Sequence, residues 1–317
     1  MMSSSSPVKI TASTYKGFHS VVLDSGLIRL ETVPEIGGKL VSILYKPTGK
    51  EWMLNSGLRR LRKPDYGSSF ADGDMSGWDE CFPTINSCHW VIGAKGVIPD
   101  HGEIWPLPWD CRLRADSIIS SVRGPVVPYV FTRTISCPSA DIIRFDYHVD
   151  NPGDETLPFL WVPHPQFAVT EPTRVVIPEN MRELLCVYGG HGLKTGGLYN
   201  WDQLSLIIPA MTGDGRKLYY PGNIPQGCSG LYGEHSGDFL CLTVPADKVP
   251  YLGIWVDEGM FNDRVTCALE PGIGYYDSLD MAMRNGTARL IPPRSFFSWH
   301  MELTLGNGMD NMMKIYK

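Results

Sequence analysis

Most of the short signatures that mark enzyme classes are missing from this chain. It has no GxSxG elbow, no HExxH pair and no dinucleotide fingerprint, which removes the usual serine hydrolases, zincins and nicotinamide enzymes. Gly37 and Gly38 begin no GxGxxG or GxxxxGK run and no helical pattern follows them, so they make a turn and not a phosphate loop. The eight cysteines (81, 88, 111, 137, 186, 228, 241 and 267) include no CxxC pair, and Cys81 and Cys88 stand too far apart for a zinc knuckle. Several lie in apolar runs, as buried free thiols do. Neither a metal nor a cofactor is expected. Positive charge is scarce: 28 Lys and Arg against 34 Asp and Glu leave a net charge of -6. That disfavours nucleic acid and anionic membranes as partners. No stretch is long and apolar enough to span a bilayer, and the start, with Ser3 to Ser6, has no apolar signal-peptide core. A reducing cytoplasm is the expected location.

Helical periodicity is nearly absent too, as are internal repeats and heptads. What the chain has instead is turns and strands. The 33 glycines and 25 prolines are dispersed among residues that are 43% hydrophobic, which means many turns around a sizeable core. Leu27 to Val33, Leu40 to Tyr45, Ile142 to Val149, Phe239 to Val244, Tyr251 to Val256 and Phe297 to Leu305 read as strands. In Ile142 to Val149 the apolar Ile143, Phe145, Tyr147 and Val149 alternate with Ile142, Arg144, Asp146 and His148. Asp277 to Asn285 is the one short helical stretch, and residues 170 to 235 read as turn-rich and weakly patterned. The expectation is an all-β fold, a large sandwich of antiparallel sheets, forming one domain over 1–317 with about 1–15 as a flexible lead-in. Sheet edges leave monomer and homodimer both open.

Four stretches carry polar residues in stiffened settings. Val265 to Tyr276 contains Glu270 followed by Pro271; a proline removes a backbone donor, so Glu270 is expected where a strand runs out. Most lone glutamates are simply solvated. Phe159 to Val169 contains His164 between two prolines, which should deny it ordinary ladder pairing. Ile98 to Trp109 holds three prolines in twelve residues and presents Asp100, His101, Glu103 and Trp105 from a structured loop. Gly77 to Thr84 places Trp78, Asp79 and Glu80 together, a mixture suited to a sugar: an aromatic face for the ring and carboxylates for its hydroxyls. One buried Trp anchoring a loop is the competing reading. The dense basic run Arg59, Arg60, Arg62 and Lys63 reads as a solvated loop, with an anion site as the sharper alternative.

In order, Asp-His-Gly-Glu-x-Trp (100–105), His-Pro-x-Phe (164–167) and Ala-Leu-Glu-Pro (268–271), then a closing strand, resemble the aldose 1-epimerase (galactose mutarotase) superfamily, and Gly-Trp-Asp-Glu-Cys-Phe-Pro resembles its uncharacterised bacterial branch. The resemblance implies an isomerase that interconverts the α and β anomers of a small sugar, with no cofactor. It implies Glu270 as general base, His164 as general acid and His101 as a substrate-binding residue. Asp79, Glu80, Trp255, Asp257 and Arg59 are further candidate substrate contacts; Asp257 is the nearest match to the family's orienting aspartate. The family's Asn-Arg loop is not recognisable, so the sugar stays open. A hexose-phosphate or acidic-sugar epimerase, with Arg59, Arg60 or Arg62 on the anion, and a non-turnover carbohydrate-binding protein are the alternatives. The chemistry needs one base and one acid near working pH. Glu270 is expected to have a raised pKa from its apolar neighbours, and His164 to start protonated beside an acidic group.

Overall fold

A computed structural model describes residues 8–57, 59–92, 96–190 and 192–317. Every pairing between its named strands is antiparallel. A nine-stranded sheet runs in the order Leu206–Ile207, Thr173–Val176, Cys228–Gly233, Asp238–Thr243, Ser295–Asn307, Ile142–Asn151, Val130–Ser139, Ser117–Arg123, Asp110–Leu113. A seven-stranded sheet runs from Lys9–Tyr15 through Phe18–Asp24, Ile28–Val33, Lys39–Tyr45 and Trp78–Cys81 to Val162–Pro165, with Lys50–Glu51 beside Lys39–Tyr45. The third sheet holds six strands: Phe167–Ala168, Thr266–Gly272, Tyr251–Glu258, Asp214–Tyr219, Glu183–Tyr188 and Leu198–Asn200.

The sheets share one core. Ile143, Phe145, Tyr147 and Val149 are buried on one face of their strand, as alternation requires, and Trp299, Met301, Leu303 and Leu305 on the next. Across from them lie Trp78, 5.3 Å from Phe145 between ring centroids, and Trp161, 5.0 Å from Trp299. The expected short helix is Leu279–Arg284, followed by Asn285 as its C-cap.

The structure departs from the sequence reading in four places. Lys9–Tyr15 is a strand paired with Phe18–Asp24, not a lead-in, while residues 1–7, including Ser3 to Ser6, lie outside the described residues. The segment 170–235 contains six short strands among its described residues; one of them, Asp214–Tyr219, buries Gly215, Lys217 and Tyr219 on one side and only Leu218 in the core on the other, so it shows no hydrophobic period. His164 sits in a real ladder, with Pro163, His164 and Pro165 opposite Glu80, Asp79 and Trp78. Glu270 is not at a strand end: Thr266–Gly272 continues through it, with Glu270 opposite Gly253 and Pro271 opposite Leu252.

Pro271 is tolerated for a local reason. Ile273 donates its N–H to Trp161, and residues two apart direct their N–H groups to the same side of a strand. The missing donor of Pro271 therefore falls between the pairing Phe167 with Cys267 and the bridge Trp161 with Ile273. In that interval Val162–Pro165 has swung away to pair with Trp78–Cys81. The break is on one side of the strand only, and His164 reaches Glu270 there.

Candidate functional site

Glu270 is fully buried and meets two partners from two neighbouring strands. His164 Nδ1 lies 2.8 Å from Oε1, so the imidazole donates there. Lys217 Nζ lies 2.7 Å from Oε2 and 2.8 Å from Asp277 Oδ1. The lysine contact to Oε2 is a buried ion pair at hydrogen-bond distance. Tyr219 Oη donates to Asp277 Oδ1 at 2.6 Å. Register places these groups: Tyr219, Gly253 and Glu270 stand in one row across three strands, and Lys217 with Trp255 stand two residues along. Gly253 makes the row possible, since a Cβ there would lie 3.0 Å from Tyr219 Cε1 and 3.2 Å from Glu270 Oε2.

The other nitrogen of His164, Nε2, is 2.9 Å from Gln166 Nε2. Gln166 accepts from Thr266 Oγ1 through its Oε1 at 3.1 Å, so its amide end faces the ring and donates to it. His101 comes from the proline-stiffened loop with a positive φ of 59°, an uncommon conformation for a residue with a side chain. Its Nδ1 is 2.9 Å from Asp100 Oδ1, and its ring stacks on Phe70 at 4.1 Å and meets His164 edge-on at 5.0 Å. Asp100 Oδ2 in turn accepts from the Phe70 N–H at 2.9 Å, tying this loop to the turn Phe70–Asp72.

These residues line a cavity of about 430 Å³, within the size range of small-molecule sites. Phe70, Tyr188, Trp255 and Phe261 supply aromatic walls; Asn86, Asp100, His101, His164, Lys217, Glu270 and Asp277 supply polar groups. Burial opposes ionisation of Glu270, but the Lys217 ammonium and the His164 hydrogen bond outweigh it and hold the carboxyl down at about 2. This corrects the expectation of a raised value: the lysine, unseen in the sequence reading, reverses the sign. Burial also opposes charge on Asp100, yet the His101 contact and the Phe70 N–H bring it to about 2. His101 itself is pushed below its ordinary value by burial, with Asp100 only partly offsetting that. Two carboxylates hold Lys217 above the usual lysine range despite its burial.

Of the residues singled out from sequence, Glu270, His164, His101 and Trp255 meet at this cavity. Four others stand elsewhere. Asp79 is buried against Lys39 Nζ at 2.6 Å. Glu80, on the opposite side of the same strand, takes Arg133 at 2.9 Å, Tyr147 at 3.0 Å and the Trp161 indole at 2.9 Å. Asp257 accepts the backbone N–H groups of Gly259, Met260, Phe261 and Asn262, shaping the loop that carries Phe261. Arg59 donates to the carbonyls of Ala71, Gly73 and Phe261. The reading missed Lys217, Asp277 and Phe70; only the Gly215, Lys217, Tyr219 alternation carried a signal for the first. Among the described residues no cluster of three or more His, Cys, Asp or Glu is arranged to hold a metal ion.

The architecture has known counterparts. A galactose mutarotase-like protein from Clostridium acetobutylicum superposes with a TM-score of 0.66 at 13% identity, covering 95% of this chain and 99% of that one. The fold is the galactose mutarotase-like one. A second galactose mutarotase-like protein, from Lactobacillus casei, gives 0.65 at 15% identity over 94% of this chain and 100% of its own. The Slr1438 protein of Synechocystis sp. PCC 6803 gives 0.68 at 16% identity, covering 97% and 99%. No family model matches the sequence and no curated protein matches it. Likeness at such identities carries the mutarotase-like fold alone, so the chemistry must be argued from the cavity.

Proposed function

We propose that the protein is an aldose 1-epimerase that interconverts the α and β anomers of a neutral hexose. The observation that supports this best is the meeting of an ionised carboxylate, two imidazoles and an ammonium on one aromatic-walled cavity. Anomer exchange needs a proton taken from the C1 hydroxyl and one given to the ring oxygen. The ring then opens, the C1–C2 bond turns, and closure on the other face reverses both transfers. Glu270 is placed to accept the first proton from the cavity side, with the Lys217 ammonium beside its Oε2. His164 holds the opposite oxygen, and the His101 ring, backed by Asp100, leaves Nε2 for a sugar hydroxyl. The aromatic faces suit the apolar side of a pyranose.

Charge favours a neutral sugar over a phosphorylated one. Asp100, Glu270 and Asp277 line the cavity against one ammonium, and Arg59 spends its donors on backbone carbonyls. Polarimetry of freshly dissolved α-hexoses tests the reading: the protein should speed equilibration, and Glu270→Gln should lower that rate by roughly 10²–10⁴-fold. Calorimetric binding of a hexose with no gain in rate would mean a sugar-binding protein on the same fold.

A further inference from the structure

We propose that Lys217 protonates the ring oxygen, making it the catalytic acid that works beside Glu270 in place of His164. The proposal rests on the anomer-interconverting reading above and concerns which group delivers the second proton. His164 is committed on both nitrogens: Nδ1 donates to Glu270 Oε1 at 2.8 Å, and Nε2 accepts from the Gln166 amide at 2.9 Å. Gln166 Oε1 in turn accepts from Thr266 Oγ1 at 3.1 Å. The imidazole therefore offers the cavity no N–H. Lys217 differs. Its ammonium carries three N–H groups and faces two carboxylate oxygens, Glu270 Oε2 at 2.7 Å and Asp277 Oδ1 at 2.8 Å, so one remains for a ligand.

The spacing fits the chemistry. The oxygen that loses a proton and the oxygen that gains one are both bonded to C1. They call for an acceptor and a donor that are immediate neighbours, and Oε2 and Nζ are such a pair on the cavity lining. In the forward step Glu270 takes the C1 hydroxyl proton, the C1–O1 bond becomes a carbonyl, and the electron pair of the broken C1–ring-oxygen bond stays on the ring oxygen. That oxygen takes a proton from Nζ, leaving an open-chain aldehyde, a neutral carboxylic acid and a neutral amine. Closure after rotation about C1–C2 returns both protons. The two transfers assist each other. Protonating Glu270 removes one of the two negative charges that hold the Lys217 proton, and an ion pair becomes a neutral pair in a site whose burial penalises charge.

The titratable groups around Nζ are Glu270 and Asp277, the Tyr219 ring at 5.4 Å, the imidazoles His101 and His164 in the same cavity, and the buried Cys81 thiol. Two measurements separate the candidate acids. The kcat of the native protein, corrected for the uncatalysed rate, should stay level from neutral pH to about pH 9, because the donor is an ammonium; an imidazole acid would lose activity within that range. Lys217→Met should lower kcat by roughly 10²-fold or more with sugar affinity kept within a few-fold, and Lys217→Arg should leave kcat low, because a guanidinium keeps its proton. A kcat that declines between neutral pH and about pH 9, full recovery with arginine, or a Lys217→Met protein with unchanged kcat and a raised KM, overturns the assignment. Should Lys217→Met fail to fold, the native pH profile and the arginine variant still decide. Absence of turnover on every aldose removes the underlying function as well, an outcome distinct from either of these.

Discussion

Glu80 and Glu270 are both fully buried carboxylates paired with a cation, yet they belong to different kinds of place. Glu80 accepts from Arg133, Tyr147 and Trp161, which joins the seven-stranded sheet to strands Val130–Ser139 and Ile142–Asn151 across the core. It is fully buried and does not line the cavity at Glu270. Glu270 has a cation and an imidazole as well, but it borders the 430 Å³ cavity. A carboxylate sealed in the core braces; one beside a cavity can meet a ligand's proton. Burial and charge pairing do not tell the two apart, whereas access does.

The sharpest way to break this contrast is to exchange the effects. Removing the Glu80 charge strands the Arg133 guanidinium in the core, so Glu80→Ala should cost about 3–5 kcal/mol of stability in urea unfolding, far more than Glu270→Gln, whose loss should appear in rate. Equal destabilisation by both changes would erase the distinction.

Acid comes next. Glu270 and Asp100 titrate at about 2 in the folded chain, below their ordinary values. Both therefore contribute stability that is full above the unfolded carboxylate range of about 3.9–4.3 and drains away as pH falls toward 2. His101 adds to the same side: its folded value is lowered, so the unfolded chain takes up its proton first as pH drops below about 6.5. Urea midpoints should fall between neutrality and pH 3, and Asp100→Asn should flatten part of that slope; an unchanged slope would place the acid sensitivity elsewhere.

The smallest change expected to matter is one carbon. Gly253→Ala sets a Cβ 3.0 Å from Tyr219 and 3.2 Å from Glu270 Oε2, so the row must spread by a few tenths of an ångström. Stability should drop by about 1–3 kcal/mol. The fall in kcat should exceed anything seen for an alanine at Gly192, where a Cβ meets nothing. Similar rates for the two variants would mean that the row tolerates spreading.

The sandwich was legible because Ile142–Asn151 and Ser295–Asn307 each turn one apolar face inward, and alternation survives in a linear string. Glu270, His164 and His101 were legible through three short motifs that occur in order, Asp-His-Gly-Glu-x-Trp, His-Pro-x-Phe and Ala-Leu-Glu-Pro, while the strand breaks expected beside Pro271 and around His164 are not there. Lys217 was not. It faces the cavity from a strand whose inner side is polar by design of the site, so the very feature that makes it useful hides its strand. Asp79 and Glu80 misled for the opposite reason: aromatic and acidic residues in one segment look the same whether they meet a sugar or brace two sheets.

Arg59 closes the matter of scale. Its one guanidinium holds the carbonyls of Ala71 and Gly73 beside one aromatic wall and of Phe261 in the other, from outside the cavity. The gap between those walls is thus governed by a residue that no ligand needs to touch. The width of the cavity mouth and the polar groups at its floor are set by separate parts of the chain.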